Sequence, residues 1–265
     1  MSHFTALAAS AASCAIAEPA QRLGALLPLA QIQAILRASQ SQTSAMGTIA
    51  KLLQTFGAAG VMQAVAQVLR EDALLADIAA RSYLHGNGFL KLVLAQTPAF
   101  KLRLHLWMPG CDAQENCHDH RWHFASAVLQ GNLSSEIWEE AHQEDAPEFA
   151  EYLYLARQAD QAARLVENGK TRLVRTRQST RSAGEAYTLA PGVLHRIVKC
   201  GSGLNATLMC QASPARSWNR LIPHPGVIPH VEQRFMTPPQ LVRTLEEYLR
   251  LARCMPENKS AVQSA

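Results

Sequence analysis

A chain of 265 residues, 48% apolar and 17% charged, has the composition of a globular protein with one substantial core, or a core and a small appended lobe. Its net charge of +4 is mild, and scattered Arg and Lys without an aromatic-interleaved basic stripe give no footprint for nucleic acid. Residues 1–17 lack a cationic start and a Leu-rich segment, and no run of about 20 apolar residues is evident, so neither a signal peptide nor a membrane span is expected. Six cysteines without a CxxC motif make no disulfide scaffold, so reduced thiols and a cytoplasmic location are expected. Cys117, directly before His118, is the thiol nearest any candidate chemistry.

In chain order, the first third reads as helical. Leu23, Leu26, Leu27, Ala30, Ile32 and Ile35 mark an amphipathic helix between Glu18 and Ser39, with Pro28 as a kink or a break. A Ser/Gln/Thr linker at 39–44 leads to a second apolar-periodic run over 45–70, and a third short helix over 72–83 takes Asp72 as its N-cap. From Gly86 the pattern turns to alternation, first in 90–94, then in Lys101-Leu102-Arg103-Leu104-His105-Leu106-Trp107. Further strands are expected at 123–129, 132–139, 149–156, 171–177, 184–189, 194–199 and 204–211. They are punctuated by Pro109-Gly110, Gly131-Asn132, Asn168-Gly169, Pro191-Gly192 and Gly201-Ser202-Gly203. Pro238-Pro239 opens a last helix running to about Cys254. Many short strands at regular spacing predict a mainly β fold, a jelly-roll barrel with an N-terminal helical region and a C-terminal helix. The expected organisation is a helical region over 1–83 packed on the barrel, the barrel over 84–215, and a C-terminal segment with the helix over 216–265.

The chemistry concentrates at three histidines. In His118-Asp119-His120 two imidazoles sit at i and i+2, so on a strand they share a face. Far downstream, Pro191-Gly192-Val193-Leu194-His195 is a turn followed at once by a strand that opens with a histidine. Two ligands from one segment and one from a distant strand suit a mononuclear metal with positions left for substrate. Imidazole serves Fe, Zn, Ni or Cu about equally. Asp119 is expected on the strand exterior or in a turn, and His123, at an odd spacing from His120, on the opposite face.

These segments resemble the cupin superfamily, with its G…HxH…G and G…PxG..H elements. Within it, His118-Asp119-His120, Leu129-Gln130-Gly131-Asn132-Leu133 and Leu194-His195-Arg196 are similar to the cysteine dioxygenase group of thiol dioxygenases. The resemblance runs from Tyr83 to about Pro214, roughly half the chain. It implies a cupin barrel holding Fe(II) through His118, His120 and His195, with O₂ as co-substrate. The glutamate ligand of many cupins has no counterpart in Arg121-Trp122-His123-Phe124-Ala125-Ser126, which favours three histidines alone. The group's SxHxY element is replaced by Thr207-Leu208-Met209-Cys210-Gln211, and its YxR element by Tyr83-Leu84-His85. The cysteine that crosslinks to tyrosine in some members is absent as well. The resemblance therefore implies the fold and the metal, and not cysteine as the substrate.

Around the metal, His85 stands in the place of the family's arginine and is the candidate for substrate contact, with Gln211 as a polar pocket group. Arg103, His105 and Trp107 share one strand face that either lines the barrel or meets solvent. Arg121 and Arg196 have the right chemistry for a carboxylate clamp, but following the ligand histidines they are expected to point outward into salt bridges. Trp218 is expected to anchor the C-terminal segment ahead of acting as a lid; His224 and His230 read as loop residues. The expected function is a non-haem Fe(II) oxygenase acting on a small amino acid, thiol or carboxylate, in a monomer or homodimer with neither nucleic acid nor membrane as partner. The alternatives are a cupin enzyme using Zn as a Lewis acid for isomerase, lyase or condensation chemistry, and a non-enzymatic cupin that binds a small molecule.

Overall fold

A computed structural model of the chain describes residues 23–111, 113, 115–156, 162–224, 229 and 233–254. Among the described residues, the longer helices ahead of the strands are α1 (Leu29–Ala38), α2 (Gln42–Val68) and α3 (Asp72–Arg81). The predicted helix begins at Glu18, and residues 18–22 lie outside the described residues; Pro28 breaks the rest, since residues 23–26 are helical, 27 and 28 bend, and the regular helix restarts at Leu29. The expected linker shrinks to a few residues, since Ser41 already caps α2 by accepting the Ser44 N–H at 3.2 Å. Glu71, not Asp72, is the N-cap of α3; Asp72 sits inside its first turn, where its charge meets the positive end of the helix. Gly57, at φ 57°, bends α2 midway.

By length and composition α2 could cross a membrane, which corrects the expectation that no such run exists; one third (33%) of its apolar window is buried. Ile49, Leu53, Val61 and Val65 carry that buried face onto β-structure.

The strands are β1 (Tyr83–Leu84), β2 (Leu90–Gln96), β3 (Phe100–Trp107), β4 (Cys117–His118), β5 (Phe124–Gln130), β6 (Asn132–Glu140), β7 (Glu148–Leu155), β8 (Arg164–Ser182), β9 (Ala186–Leu189), β10 (Leu194–Cys200), β11 (Asn205–Ala212), β12 (Trp218–Ile222) and β13 (Arg234–Phe235). A closing helix, α4, spans Pro238–Cys254 as predicted. All strand pairings among the described residues are antiparallel. Seven strands form one sheet in the order β13-β1-β2-β3-β11-β5-β9, and the other six close into a ring, β10-β4-β12-β7-β8-β6. The result is the mainly β barrel with helical ends that the sequence predicts.

The seven-stranded sheet is buried on both faces, and alternation sorts its side chains. Leu92, Leu94, Leu102, Leu104, Leu106, Ala206 and Leu208 join the helices in the main core. Their neighbours point the other way, where Phe89 and Trp107 meet Leu133 and Ile197 of the six-stranded ring, and Trp122, Phe124 and Met209 pack together. The inward face is what matters for function. In register across it, Lys91 lies opposite His105 and His105 opposite Thr207, while Arg103, Met209, Ser126 and Tyr187 form the adjacent row.

Two strand expectations change. Asn168-Gly169 is not a turn but a bulge within the long β8, two residues facing Glu151 where the β7 register shifts; Gly169 takes φ 82° and Asn168 Nδ2 donates to Glu151 at 2.7 Å. Residues 218–222 add a strand after 215, and they pair with both β4 and β7.

Candidate metal centre

The last residue of β4 and the first residues of β10 are brought side by side, His118 opposite His195. His120, two residues on, is tied to the turn ahead of β10, its carbonyl accepting the Gly192 N–H at 3.1 Å. Gly192 makes that turn at φ 81°, a conformation that favours glycine. The HDH segment and the Pro191-Gly192 element therefore meet through the backbone as well as through their histidines.

Ring nitrogens of His118, His120 and His195 lie within 4.8 Å of one another, in a group that could hold a metal ion. The ring centroids are 4.6–4.9 Å apart. Two of the rings are aimed by backbone carbonyls: Nδ1 of His118 faces Asn116 O at 2.9 Å, and Nδ1 of His195 faces Val193 O at 3.2 Å. A proton held at each Nδ1 leaves Nε2 unprotonated, as a ligand requires. His120 is instead fixed by stacking on Trp122 at 5.2 Å and by the edge of Phe124. Burial pushes His195 down to about 3, with the neighbouring His118 adding to the shift. The same two causes, burial first, hold His120 well below the ordinary histidine range, and burial lowers His118. Three neutral imidazoles whose ligand atoms lie together fit a borderline divalent metal, and among the described residues no carboxylate belongs to the group.

Arg103 and His105, each 8% exposed, and Gln211, 4% exposed, all lie on the inward face of the seven-stranded sheet. For this face the sequence left lining and solvation open; it lines the barrel. Arg103 Nε, His105 Nε2, Gln211 Oε1 and Trp122 Nε1 are buried without a hydrogen-bond partner among the described residues. Groups of this kind are costly unless something enters to pair with them. The Arg103 guanidinium lies over the Trp122 ring at 5.6 Å, on the same indole that stacks on His120. His85 stacks on Phe89 at 4.8 Å, and its Nδ1 accepts the Asn87 N–H at 3.2 Å.

Three residues that the sequence did not single out complete the interior. Lys91 projects between the Tyr83 and Phe89 rings, 5.7 and 5.3 Å from their centroids. Burial and the nearby Arg103 push its ammonium down to about 7, and its charge in turn disfavours protonation of His85, His105, His118 and His120. Glu115 accepts the Ile197 N–H at 3.2 Å, and burial pushes its carboxyl up to about 7. Trp122 was legible by alternation from His120; Glu115 lies in a loop with no periodic signal.

Other expectations are corrected. Asp119 is not an exterior residue: it is 1% exposed and bonded to Arg216 and Arg220. Arg121 makes no salt bridge among the described residues; it donates to Ser217 O at 3.3 Å and lies over the Trp122 and Tyr154 rings. Arg196 does pair, with the buried Glu136 at 2.7 Å. Trp218, 36% exposed on β12, pairs with Leu155 and lies under the Arg216 guanidinium at 4.2 Å. The Cys117 thiol is pushed up to about 12 by burial, which removes it as a nucleophile at neutral pH. His123 stays outside the histidine group, His224 donates its backbone N–H to Asn116, and His230 lies outside the described residues.

No family model and no curated protein matches this chain. Solved structures that it resembles include a conserved protein with a double-stranded β-helix domain from Klebsiella pneumoniae (11% identity, 50% of this chain and 79% of that one, TM-score 0.31). An RmlC-like cupin from Shewanella frigidimarina matches at 13% identity over 51% of this chain and 84% of that one, with TM-score 0.30. A Bacillus subtilis oxalate decarboxylase matches at 12% identity over 50% of this chain and 28% of that one, also at 0.30.

Proposed function

We propose that this protein is a non-haem Fe(II)-dependent oxygenase acting on a small substrate that carries a carboxylate. The observation that carries the reading is the pairing of a site that, among the described residues, holds three histidines and no carboxylate with a buried Arg103 whose Nε has no partner among them, on an inward face where Lys91 is also basic. When bound, Fe(II) would supply open positions for a substrate atom and for O₂, and a redox centre through which electrons of the substrate could reach O₂.

The chain's own residues do the rest. Arg103 offers a planar charged donor for the substrate carboxylate, and Trp122 Nε1 a second N–H beside it. Gln211 Oε1 accepts from an amino or hydroxyl group on the same molecule. Phe89, Trp107, Phe124 and Met209 make the barrel interior apolar, and a low-dielectric surrounding strengthens each of these contacts. His85 and His105, held neutral by burial first and by the cations around them, offer uncharged imidazole nitrogens for hydrogen bonds to the substrate.

The test is anaerobic loading with Fe(II), then O₂ uptake across a panel of amino acids, thiols and carboxylates. Uptake should depend on an added carboxylate and vanish in His118→Ala. In Arg103→Met the KM should rise by roughly 10-fold or more, the loss of one charge-assisted hydrogen bond. Stoichiometric zinc in protein purified without added metal, with no uptake on any substrate, would overturn the iron reading in favour of Lewis-acid chemistry.

A further inference from the structure

We infer that Asp119 is a positioning residue, a buried clamp that fastens the two-histidine segment to β12 and so sets the aim of His118 and His120. This rests on the metal reading of the three histidines. Asp119 lies between the two ligands yet faces away from them, and its carboxylate is almost wholly enclosed. A carboxylate is buried at large cost unless cations or N–H donors surround it. Both oxygens here are served by one strand and its approach: Arg216 Nη2 donates to Oδ2, and the Arg220 backbone N–H donates to Oδ1 at 2.7 Å. The backbone answers in kind, the Asp119 N–H donating to Arg220 O at 3.2 Å.

Each partner is itself held. The Arg216 guanidinium stacks on Trp218 and its Nη2 also reaches His120 O at 3.4 Å. The Arg220 side chain donates to Glu151 at 2.5 and 2.9 Å and to Glu140 at 2.6 Å. One residue before Asp119, His118 is in register with Leu221 of the same strand. β4 is only two residues long, so its ladder alone gives little grip on the ligand that follows. The side-chain contacts at Asp119 extend that grip across the segment from His118 to His120.

The experiment uses the metal-free full chain and Co(II) as probe, reading the dissociation constant against a competing chelator and the visible absorption of the bound ion, with near-UV circular dichroism of the metal-free proteins as the check on folding. Asp119→Ala should weaken Co(II) binding by about 10- to 100-fold, the usual effect of removing a group that orients metal ligands. It should also alter the Co(II) spectrum. Asp119→Asn keeps the acceptor for the Arg220 N–H and should lose less. Arg216→Met, outside the ligand segment, should move affinity and spectrum in the same direction. A folded Asp119→Ala with wild-type affinity and spectrum overturns the clamp; should that variant not fold, wild-type values in both Asp119→Asn and Arg216→Met overturn it. If the wild-type chain takes up no Co(II), the metal reading falls and the clamp with it.

Discussion

An ammonium enclosed by two aromatic rings is a cost that the fold carries at Lys91. Burial holds its folded value near 7 against an ordinary value of 10.5, so between those limits the unfolded chain binds the extra proton. Stability therefore rises with pH across that window, and the penalty is fully present below pH 7. Glu115 opposes the shift and Arg103 adds to it. Lys91→Met keeps the apolar stem and removes the charge. Its Tm should exceed wild type by at least about 2 °C at pH 6.5, and the gap should narrow by pH 9.5. Thermal unfolding at the two pH values checks this; a gap that widens with pH would refute it. At this scale the histidines were legible because i, i+2 spacing and a turn–strand signal need no partner to be read. Asp119 was not, because alternation says only that it faces away from the metal. What covers that side is Arg216 and Arg220, about a hundred residues downstream.

At the scale of elements, the β5–β6 turn is the most constrained. Gly131 has φ 72°, and a Cβ there would meet Leu204 O at 2.7 Å and run into the Asn205 side chain. Asn205 cannot yield without loss, because its Oδ1 accepts the Asn132 N–H at 2.8 Å and its Nδ2 donates to Cys200 O at 3.2 Å. Gly131→Ala should cost roughly 2 kcal/mol or more, read as a lower urea midpoint. Glycine at this turn was visible in the sequence, and so were most strands. Asn168-Gly169 carried the same turn signal and became a bulge, because the residues on both sides continue to pair with β7. β12 escaped notice because five residues, Trp218–Ile222, after a Ser-Pro-Ala-Arg-Ser stretch show no sustained alternation.

At the scale of the whole molecule, the histidines join β4 to β10, two strands whose connection spans most of the barrel. A ligand that binds only the folded chain adds RT ln(1 + [L]/Kd), about 2.7 kcal/mol at a hundredfold excess over Kd. For a chain of this size that corresponds to roughly 5–10 °C in Tm. Metal-loaded protein should melt higher by that amount, and a chelator should remove the gain; equal melting points would count against a bound metal. Composition and periodicity announced the helical layer and the barrel, but the order of strands depends on contacts that no local pattern records.

The inward and helix-facing sides of the seven-stranded sheet are drawn from the same strand in turn: Leu102, Leu104 and Leu106 face the helices, and Arg103, His105 and Trp107 the barrel interior. A single inserted or deleted residue early in β3 would exchange the two sets, sending the Arg103 guanidinium and the His105 imidazole into the hydrocarbon layer and leucines against the histidines. Length changes within this strand are thus tolerable only in pairs, whereas the loops at its ends are free of that parity.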